Sequence, residues 1–158
     1  MTRPSAATPP GAATLHRVDR EGDLPAWAGR AQLARFFHET MKPYHDSIPD
    51  VERALDYAFS AEPGKGGFLM LAEQGDGLAG ALLMLSTGMG GYVPEHLLLF
   101  VTVRPDLRGQ GLGRRIIEEA CGGLDGAVKL HVEYDNPAKR LYERIGFSTK
   151  YAEMRYTP

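Results

Sequence analysis

The sequence is organised around residues 96–120, which read HLLLFVTVRPDLRGQGLGRRIIEEA. Residues 97–103 form an uninterrupted run of apolar, β-branched and aromatic side chains, which predicts a strand buried on both faces. Three glycines follow at alternate positions within residues 109–113. Apolar residues then recur at helical spacing from Leu112 to Leu124. The stretch therefore predicts a strand, a glycine-rich loop and a helix, in that order.

A loop of this kind favours binding of a phosphate group. Glycine lets the backbone approach a ligand closely and adopt a positive φ. The first amides of the following helix have no internal partner, and the helix dipole adds positive potential there. Arg108 precedes the helix, and Arg114 and Arg115 lie in its first turn, where the dipole alone would favour carboxylates. The alternative is a solvated basic turn in which the glycines serve only the backbone geometry.

The loop does not fit the two best-known nucleotide-binding patterns. It lacks the Lys-Ser/Thr end of GxxxxGK[ST], and its glycines are not spaced as in GxGxxG. Residues 108–113 instead read Arg-x-x-Gly-x-Gly, with Gly109, Gln110 and Leu112 at the variable positions. This pattern resembles the acyl-CoA pyrophosphate loop of the GNAT superfamily of N-acetyltransferases.

A second segment, residues 135–147 (DNPAKRLYERIGF), supports this resemblance. Asn136 predicts a helix cap, Pro137 suits the first helical position, and Gly146 predicts the end of the helix. The pattern NPAxxLYxxxGF resembles the second GNAT signature, in which the Asn faces the pantetheine arm and the Tyr hydroxyl lies by the CoA sulfur. The resemblance thus implies Asn136 as a binding residue and Tyr142 as both a binding residue and the catalytic acid. From composition alone, Tyr142 would be a core tyrosine.

Residues 1–13 are rich in Pro, Ala and Thr without periodicity, which predicts a flexible tail. The resemblance implies a single α/β domain over residues 14–158. Its mixed, mostly antiparallel sheet would have six to seven strands, be splayed at the central strand, and carry helices on both faces. Local patterns predict elements in the family's order. They are a strand at 14–18, a helix at 25–41, a second helix with start signals at residues 47–50 and a stop at residues 63–64, a hairpin over 68–85, the central strand with its helix, a strand at 128–133 and the helix after Asn136. A final strand follows in the family.

The resemblance also implies a binding site for acetyl-CoA as cosubstrate, without a metal. Backbone amides of the central strand would polarise the thioester carbonyl, and the glycine loop with its arginines would hold the pyrophosphate. Lys139 and Arg140 would reach CoA phosphates, although a solvated helix face explains them equally well. The residues expected to contact CoA are Val101, Thr102, Val103, Arg108, Gly109, Gln110, Gly111, Leu112, Gly113, Arg114, Asn136, Lys139 and Tyr142.

The general base is the part of the family pattern that this sequence leaves open. Many relatives carry a carboxylate in the central strand, where this chain has apolar residues at 98–100. The candidates are Glu73, Glu95, His96 or a water molecule, and each of the three side chains is better explained as a strand-end surface residue than as a base. A further polar group lies between the first two helices, where relatives shape the acceptor pocket and where an ordinary exposed turn is the alternative. It comprises His38, Glu39, Tyr44, His45 and Asp46.

Composition limits the class of protein. The 158 residues are 43% hydrophobic, as expected for one domain with a sizeable core. A net charge of −2 gives no basic field for nucleic acid or membrane lipid. The single cysteine, Cys121, predicts a buried structural thiol and fits a reducing cytoplasm. The sequence shows neither an apolar run near the ~20 residues of a membrane span nor a secretory signal, so a cytoplasmic protein is predicted.

The predicted function is therefore that of an acyl-CoA-dependent N-acyltransferase, with acetyl-CoA as the expected donor. It would transfer the acetyl group to a primary amine of a small molecule, peptide or protein by direct attack in a ternary complex. The amine acceptor is the expected partner, and a homodimer is a further expectation. The alternative is a GNAT-like module that binds acyl-CoA without turnover, which the missing strand carboxylate supports. Nucleotide hydrolysis lacks both the phosphate-loop lysine and a Mg²⁺ carboxylate motif.

Overall fold

A computed structural model describes residues 12–75 and 77–158, and within these ranges the chain forms one five-stranded sheet and four α-helices. The strands are β1 (Thr14–Val18), β2 (Gly67–Gln74), β3 (Gly77–Ser86), β4 (His96–Val103) and β5 (Val128–Leu130). The helices are α1 (Arg30–Thr40), α2 (Ile48–Ala58), α3 (Leu112–Gly122) and α4 (Ala138–Ile145). The strands are ordered β1-β2-β3-β4-β5, with antiparallel neighbours up to β4 and a parallel β4–β5 pair. The predicted α/β class is confirmed.

Helices cover both faces of the sheet, as predicted. On one face, α1 and α2 bury Phe37 and Leu55 in a cluster that includes Phe100 of β4. On the other face, α3 buries Ile116 and Ile117 against the sheet. The eight residues of β3 between its first and last are all buried, because this strand lies beneath helices on both sides.

The helix ends follow local signals. Ser47 caps α2, and its hydroxyl accepts a hydrogen bond from the Asp50 amide at 3.2 Å. The first helix begins at Arg30, five residues later than predicted. The reason is the extended backbone of Gly29, with φ −66° and ψ 162°, which separates α1 from a short 3₁₀ turn over Ala26–Ala28.

The predicted N-terminal tail is described only in part. Residues 1–11 of that tail lie outside the described residues. Ala13, which the prediction places in the tail, is buried at 3% exposure. Its carbonyl accepts a hydrogen bond from the Arg115 side chain at 3.0 Å. Ala13 therefore contacts α3 immediately before β1 begins.

The described sheet has fewer strands than the six to seven predicted. β5 ends at Leu130 instead of residue 133, and residues 148–158 form no strand. A strand needs a hydrogen-bonded neighbour, and β5 pairs only with β4, through His96–Leu98. Without a strand on its other edge, β5 cannot extend beyond this short pairing.

The sheet opens at β4. Pairing with β5 ends at Leu98, so residues 99–103 of β4 have β3 as their only neighbour among the described strands. Leu98 and Phe100 oppose the consecutive β3 residues Met84 and Leu83, which makes Leu99 an extra residue, a β-bulge. The resulting gap beside β4 is the splay that the resemblance implied.

Candidate active site

The loop that follows β4 has the backbone that its glycines predict. Gly109 has φ +76° and Gly111 has φ +83°, both in the left-handed region that favours glycine. Gly111 is the residue that precedes α3, with ψ 5°. A Cβ placed at either glycine would have no described atom within 4 Å. These positions are thus glycine for their conformation, and the space beside them is open to a ligand.

The start of α3 lies where three elements meet. A Cβ at Gly113 would lie 3.6 Å from both Val103 of β4 and Leu141 of α4. Leu112 is 2% exposed and anchors the helix in the core, so only its backbone can face a ligand. Gln110 is exposed. The first backbone amides of α3 have no carbonyl acceptor within the helix, and such amides at a helix start bind phosphate.

Backbone groups of β4 line the gap. The Arg104 amide donates to the Ala79 carbonyl at 2.8 Å and therefore faces β3. Because amide direction alternates along a strand, the Thr102 amide also faces β3, while the amides of Val101 and Val103 face the gap. Two of the three predicted strand residues can thus donate to a ligand there, and the third uses its amide within the sheet.

Arg108 joins the end of β4 to α1. Its Nε donates to the Val103 carbonyl at 3.0 Å, and its Nη2 donates to the Thr40 carbonyl at 2.5 Å. The Thr102 hydroxyl donates to the Thr40 hydroxyl at 2.7 Å. Thr40 was not identified from the sequence, since its contacts with Thr102 and Arg108 span 62 and 68 residues. To contact a phosphate, the Arg108 side chain would have to give up these bonds.

Two of the other predicted cations have carboxylate partners on their own helices. Arg114 Nε lies 2.7 Å from Glu118, and Lys139 Nζ lies 2.5 Å from Glu143. Arg114 and Glu118 are about half exposed, and ion pairs of this kind contribute roughly 0–1 kcal/mol. Breaking the Arg114 pair to contact a ligand would therefore cost little.

The segment that leads into α4 places the second motif beside the gap. The Asn136 side chain accepts a hydrogen bond from the Ala138 amide at 2.9 Å, as expected of a capping residue. The Tyr142 ring packs edge-on against Phe147, with centroids 6.0 Å apart. Its hydroxyl makes no hydrogen bond with the residues that the structure describes. Burial raises the pKa of Tyr142 to about 12, so the phenol is protonated at neutral pH.

The three side chains considered as general bases are engaged elsewhere. Glu73 lies 2.9 Å from His16 at the far edge of the sheet, two strands from β4. Glu95 accepts a hydrogen bond from the Ala127 amide at 2.7 Å, and that bond lowers the pKa of its carboxyl. The His96 ring hydrogen-bonds a backbone carbonyl before β5 at 2.7 Å. None of these three residues is brought to the open stretch of β4, and a water molecule is the remaining candidate.

The polar group between α1 and α2 reaches the second motif. The Tyr44 hydroxyl donates to the Asp135 carbonyl at 3.2 Å. Desolvation, followed by the negative charges of Asp135 and Glu133, raises the pKa of Tyr44. His38 and His45 stack edge-on, with centroids 4.9 Å apart. This segment therefore borders the start of α4, which the sequence did not predict.

An open cleft of about 480 Å³ lies at the same place. Its lining consists of Tyr134, Asp135, Asn136, Pro137, Lys139, Arg140 and Glu143. Asn136 and Lys139, two residues of the predicted CoA set, line the cleft on either side of the start of α4. The carboxylates of Asp135 and Glu143 also line it.

Three further features of the described residues concern metal sites, membrane spans and the single cysteine. Across residues 12–75 and 77–158, no three His, Cys, Asp or Glu side chains group as a metal site would require. The helices in these ranges are too short or too polar for a membrane span. Cys121 is half-buried, and burial raises the pKa of its thiol, which makes it a poor nucleophile.

Comparison with known proteins links this geometry to acetyl transfer. A family model described as an acetyltransferase (GNAT) domain matches residues 65–149. No curated protein matches the chain. An integron cassette protein from the mobile metagenome of V. cholerae superposes with a TM-score of 0.64 at 19% identity, over 92% of this chain and 93% of that chain.

Two further solved structures share the fold. An aminoglycoside acetyltransferase from an uncultured soil metagenomic sample, in complex with sisomicin, has a TM-score of 0.61 at 15% identity and covers 92% of this chain and 96% of its own. A GNAT family acetyltransferase from Streptococcus pneumoniae TIGR4 has a TM-score of 0.60 at 18% identity, with coverages of 92% and 98%.

Proposed function

Because this chain belongs to the GNAT family of acetyltransferases, we propose that it transfers an acetyl group from acetyl-CoA to a primary amine of a small molecule, peptide or protein. The observation that carries the proposal is the meeting of three elements at Gly113, which adjoins Val103 of β4 and Leu141 of α4. A phosphate-binding loop, a strand with free amides and the Tyr142 helix thereby border one gap. Bound there, acetyl-CoA supplies an acyl group already activated as a thioester.

Each part of the site has a defined task. The amides at the start of α3 and around Gly109 and Gly111 hold the pyrophosphate. The amides of Val101 and Val103 donate to the acyl carbonyl as negative charge develops on its oxygen. Asn136 lies where the pantetheine arm would pass, at the start of α4. These groups bind and orient the cosubstrate.

The pKa of Tyr142 limits its role. With a pKa of about 12, the phenol is a weaker acid than a free thiol, whose pKa is about 8.5. Complete proton transfer to a departing thiolate is therefore unfavourable. The role that fits is donation of a hydrogen bond to the sulfur as it gains charge, with solvent completing the protonation.

Carboxylates lie beside Tyr44 at one side of the cleft. Desolvation and the nearby charges of Asp135 and Glu133 raise the pKa of Tyr44, whereas Glu143 is paired with Lys139, and Arg140 lines the same cleft. The carboxylates beside Tyr44 favour approach of a cationic amine, which then loses its proton to water before attack. One solved structure with this fold is an aminoglycoside acetyltransferase bound to sisomicin, so small-molecule amines are the first acceptors to test.

The single cysteine supports a cytoplasmic location.

Thioester consumption with a panel of amines, followed by mass spectrometry of the product, tests the proposal. Acetylation of an amine is the expected outcome. The lack of a side-chain base among the three candidates favours one alternative, a module that binds acetyl-CoA without turnover. Calorimetric binding of acetyl-CoA with no product from any amine would support that module, and no binding would contradict both.

Substitutions of the two arginines beside the loop should distinguish an effect on acetyl-CoA affinity from an effect on the free energy of unfolding. Arg114→Ala should weaken acetyl-CoA binding about tenfold and flatten its salt dependence, since it removes one charge-assisted contact. Arg108→Ala should also lower the free energy of unfolding by about 1–3 kcal/mol, because its side chain joins β4 to α1. Calorimetry and thermal unfolding measure the two effects.

Arg53→Ala is the matched control for these variants. Arg53 forms an exposed pair with Asp50 on α2, away from the loop, so its loss should change neither affinity nor stability appreciably. Wild-type affinity in the double variant Arg108→Ala/Arg114→Ala, with the fold intact, would exclude a contribution of these two side chains to pyrophosphate binding.

A further inference from the structure

The second half of β4 is hydrogen-bonded along only one of its edges. Residues 99–103 have β3 on one side and no described strand on the other. Within the described sheet, the amides of Val101 and Val103 that face the gap therefore have no ladder hydrogen bond to fix their position. Donors that must meet a reacting carbonyl act well only when the surrounding structure holds them in place.

One residue at the end of α1 holds this stretch of β4. Thr102 lies between the two amides in sequence, and its hydroxyl donates to the Thr40 hydroxyl at 2.7 Å. The Thr40 hydroxyl donates in turn to the Phe36 carbonyl, one helical turn earlier, at 2.7 Å. Because the single proton of Thr40 is used there, its oxygen can only accept from Thr102. The two bonds form a chain with a fixed direction.

The bond between the two hydroxyls is shielded from water. Thr102 is 7% exposed, and it is the only buried polar residue in the part of the chain that the structure describes. Beside it, the buried Phe100 ring packs on Phe37 of α1, with centroids 5.3 Å apart. A hydroxyl in such surroundings keeps its partner, because leaving it unpaired is costly. The bond thus fixes the distance between α1 and β4 at the residue between the two amides.

The backbone of Thr40 restrains the same stretch a second time. Its carbonyl accepts from Arg108 Nη2 at 2.5 Å, and Arg108 Nε donates to the Val103 carbonyl at 3.0 Å. The carbonyl and the amide of one strand residue point the same way, so Arg108 contacts β4 on the edge that borders the gap. Thr40 therefore restrains Val103 through Arg108 and restrains Thr102 through its own hydroxyl.

We propose that Thr40 is a positioning residue for acetyl transfer: its hydroxyl holds β4 through Thr102, so that the two amides in the gap donate to the acyl carbonyl. The inference rests on the proposed function, in which these amides stabilise the developing negative charge. A small displacement of such a donor lowers the rate by a large factor. The affinity for acetyl-CoA depends mainly on the loop amides and should change little when the bond is lost.

Removing either hydroxyl tests the proposal, because the two variants differ in stability. Thr102→Val leaves the Thr40 hydroxyl bonded to Phe36, so the melting temperature should stay within about 2 °C of wild type. Thr40→Val leaves the Thr102 hydroxyl buried without its acceptor, so the melting temperature should fall by roughly 3–8 °C. Both variants should lower kcat about 10–100-fold with acetyl-CoA affinity nearly unchanged. Thr40→Ser keeps the hydroxyl and should have near-wild-type kcat.

Thr87→Val is the matched control. The Thr87 hydroxyl also donates to a single carbonyl, that of Pro94 at 2.8 Å, in the connection between β3 and β4. Its loss should lower the melting temperature and leave kcat unchanged. If kcat falls only where the melting temperature falls, so that Thr102→Val turns over like the wild type, the proposal is overturned.

A readout without turnover separates this proposal from the proposed function. The amide resonances of Val101 and Val103 should differ between the CoA complex and the acetyl-CoA complex, because only the second brings a carbonyl to them. In Thr102→Val this difference should become smaller. No difference in the wild type, or an undiminished one in the variant, would overturn the proposal. A difference that shrinks in the variant, without product from any amine, would support the positioning and contradict the transferase.

Discussion

Replacing Tyr142 with Phe should lower kcat by about 10²–10³-fold and leave acetyl-CoA affinity nearly unchanged, the usual cost of losing one donor aimed at developing charge. The substitution removes one hydroxyl and keeps the ring that packs against Phe147. That hydroxyl has no hydrogen-bond partner among the described residues, so its removal should not reduce stability. Steady-state kinetics with calorimetry of acetyl-CoA binding measures both quantities.

A loss confined to kcat would be the mark of an interaction made mainly in the transition state. The control is Tyr57→Phe, since the Tyr57 hydroxyl donates to the Ser86 carbonyl at 2.7 Å on the α2 side of the sheet. It should reduce the free energy of unfolding by about 0.5–1.5 kcal/mol and leave kcat unchanged. Full turnover in Tyr142→Phe would mean that the residue only packs.

Gly111→Val should abolish most acetyl-CoA binding, by about a hundredfold or more. A valine cannot easily adopt φ +83°, and its branched side chain would occupy the open space beside the loop. Losing two amide contacts to a pyrophosphate, at roughly 1.5 kcal/mol each, accounts for the factor. The fold should survive with a stability loss of about 1–2 kcal/mol, as thermal unfolding would show.

The other end of α3 supplies the control for this variant. Gly123 follows the helix with φ −107° and also has no described atom within 4 Å of an added Cβ. Gly123→Val should therefore retain wild-type affinity. Equal affinity in Gly111→Val and the wild type would show that the loop backbone does not hold the ligand.

The parts of the fold that the sequence predicted are those governed by local chemistry. The strand at 97–103, the glycine loop and α3 follow from neighbouring residues alone, and so does the cap at Asn136. The contacts of Thr40 with Thr102 and Arg108 join residues 62 and 68 positions apart, and no local pattern encodes them. The terminal strand was predicted from the family order, but strand formation depends on a neighbour as well as on pattern.

The bulge at Leu99 was hidden for a different reason. An extra residue in a strand can be recognised in a sequence where apolar and polar residues alternate, because the alternation shifts by one position after it. Residues 97–101 are all apolar, since helices cover both faces of the sheet, so the phase change leaves no trace. The same burial that made the strand easy to predict concealed the irregularity that opens the site.

The bulge at Leu99 determines which backbone amides in the second half of β4 face the gap. The His96 amide points toward β5, as its bond to the Ala127 carbonyl shows, and the Arg104 amide points toward β3. An unbroken strand would give two positions of equal parity the same direction. Regular pairing of all the residues of β4 would therefore invert the second half of the strand. It would turn the Val101 and Val103 amides into the sheet and withdraw Phe100 from the Phe37 ring, 5.3 Å away. Deletion of Leu99 would instead remove the bulge and leave residues 100–103 in their present register with β3.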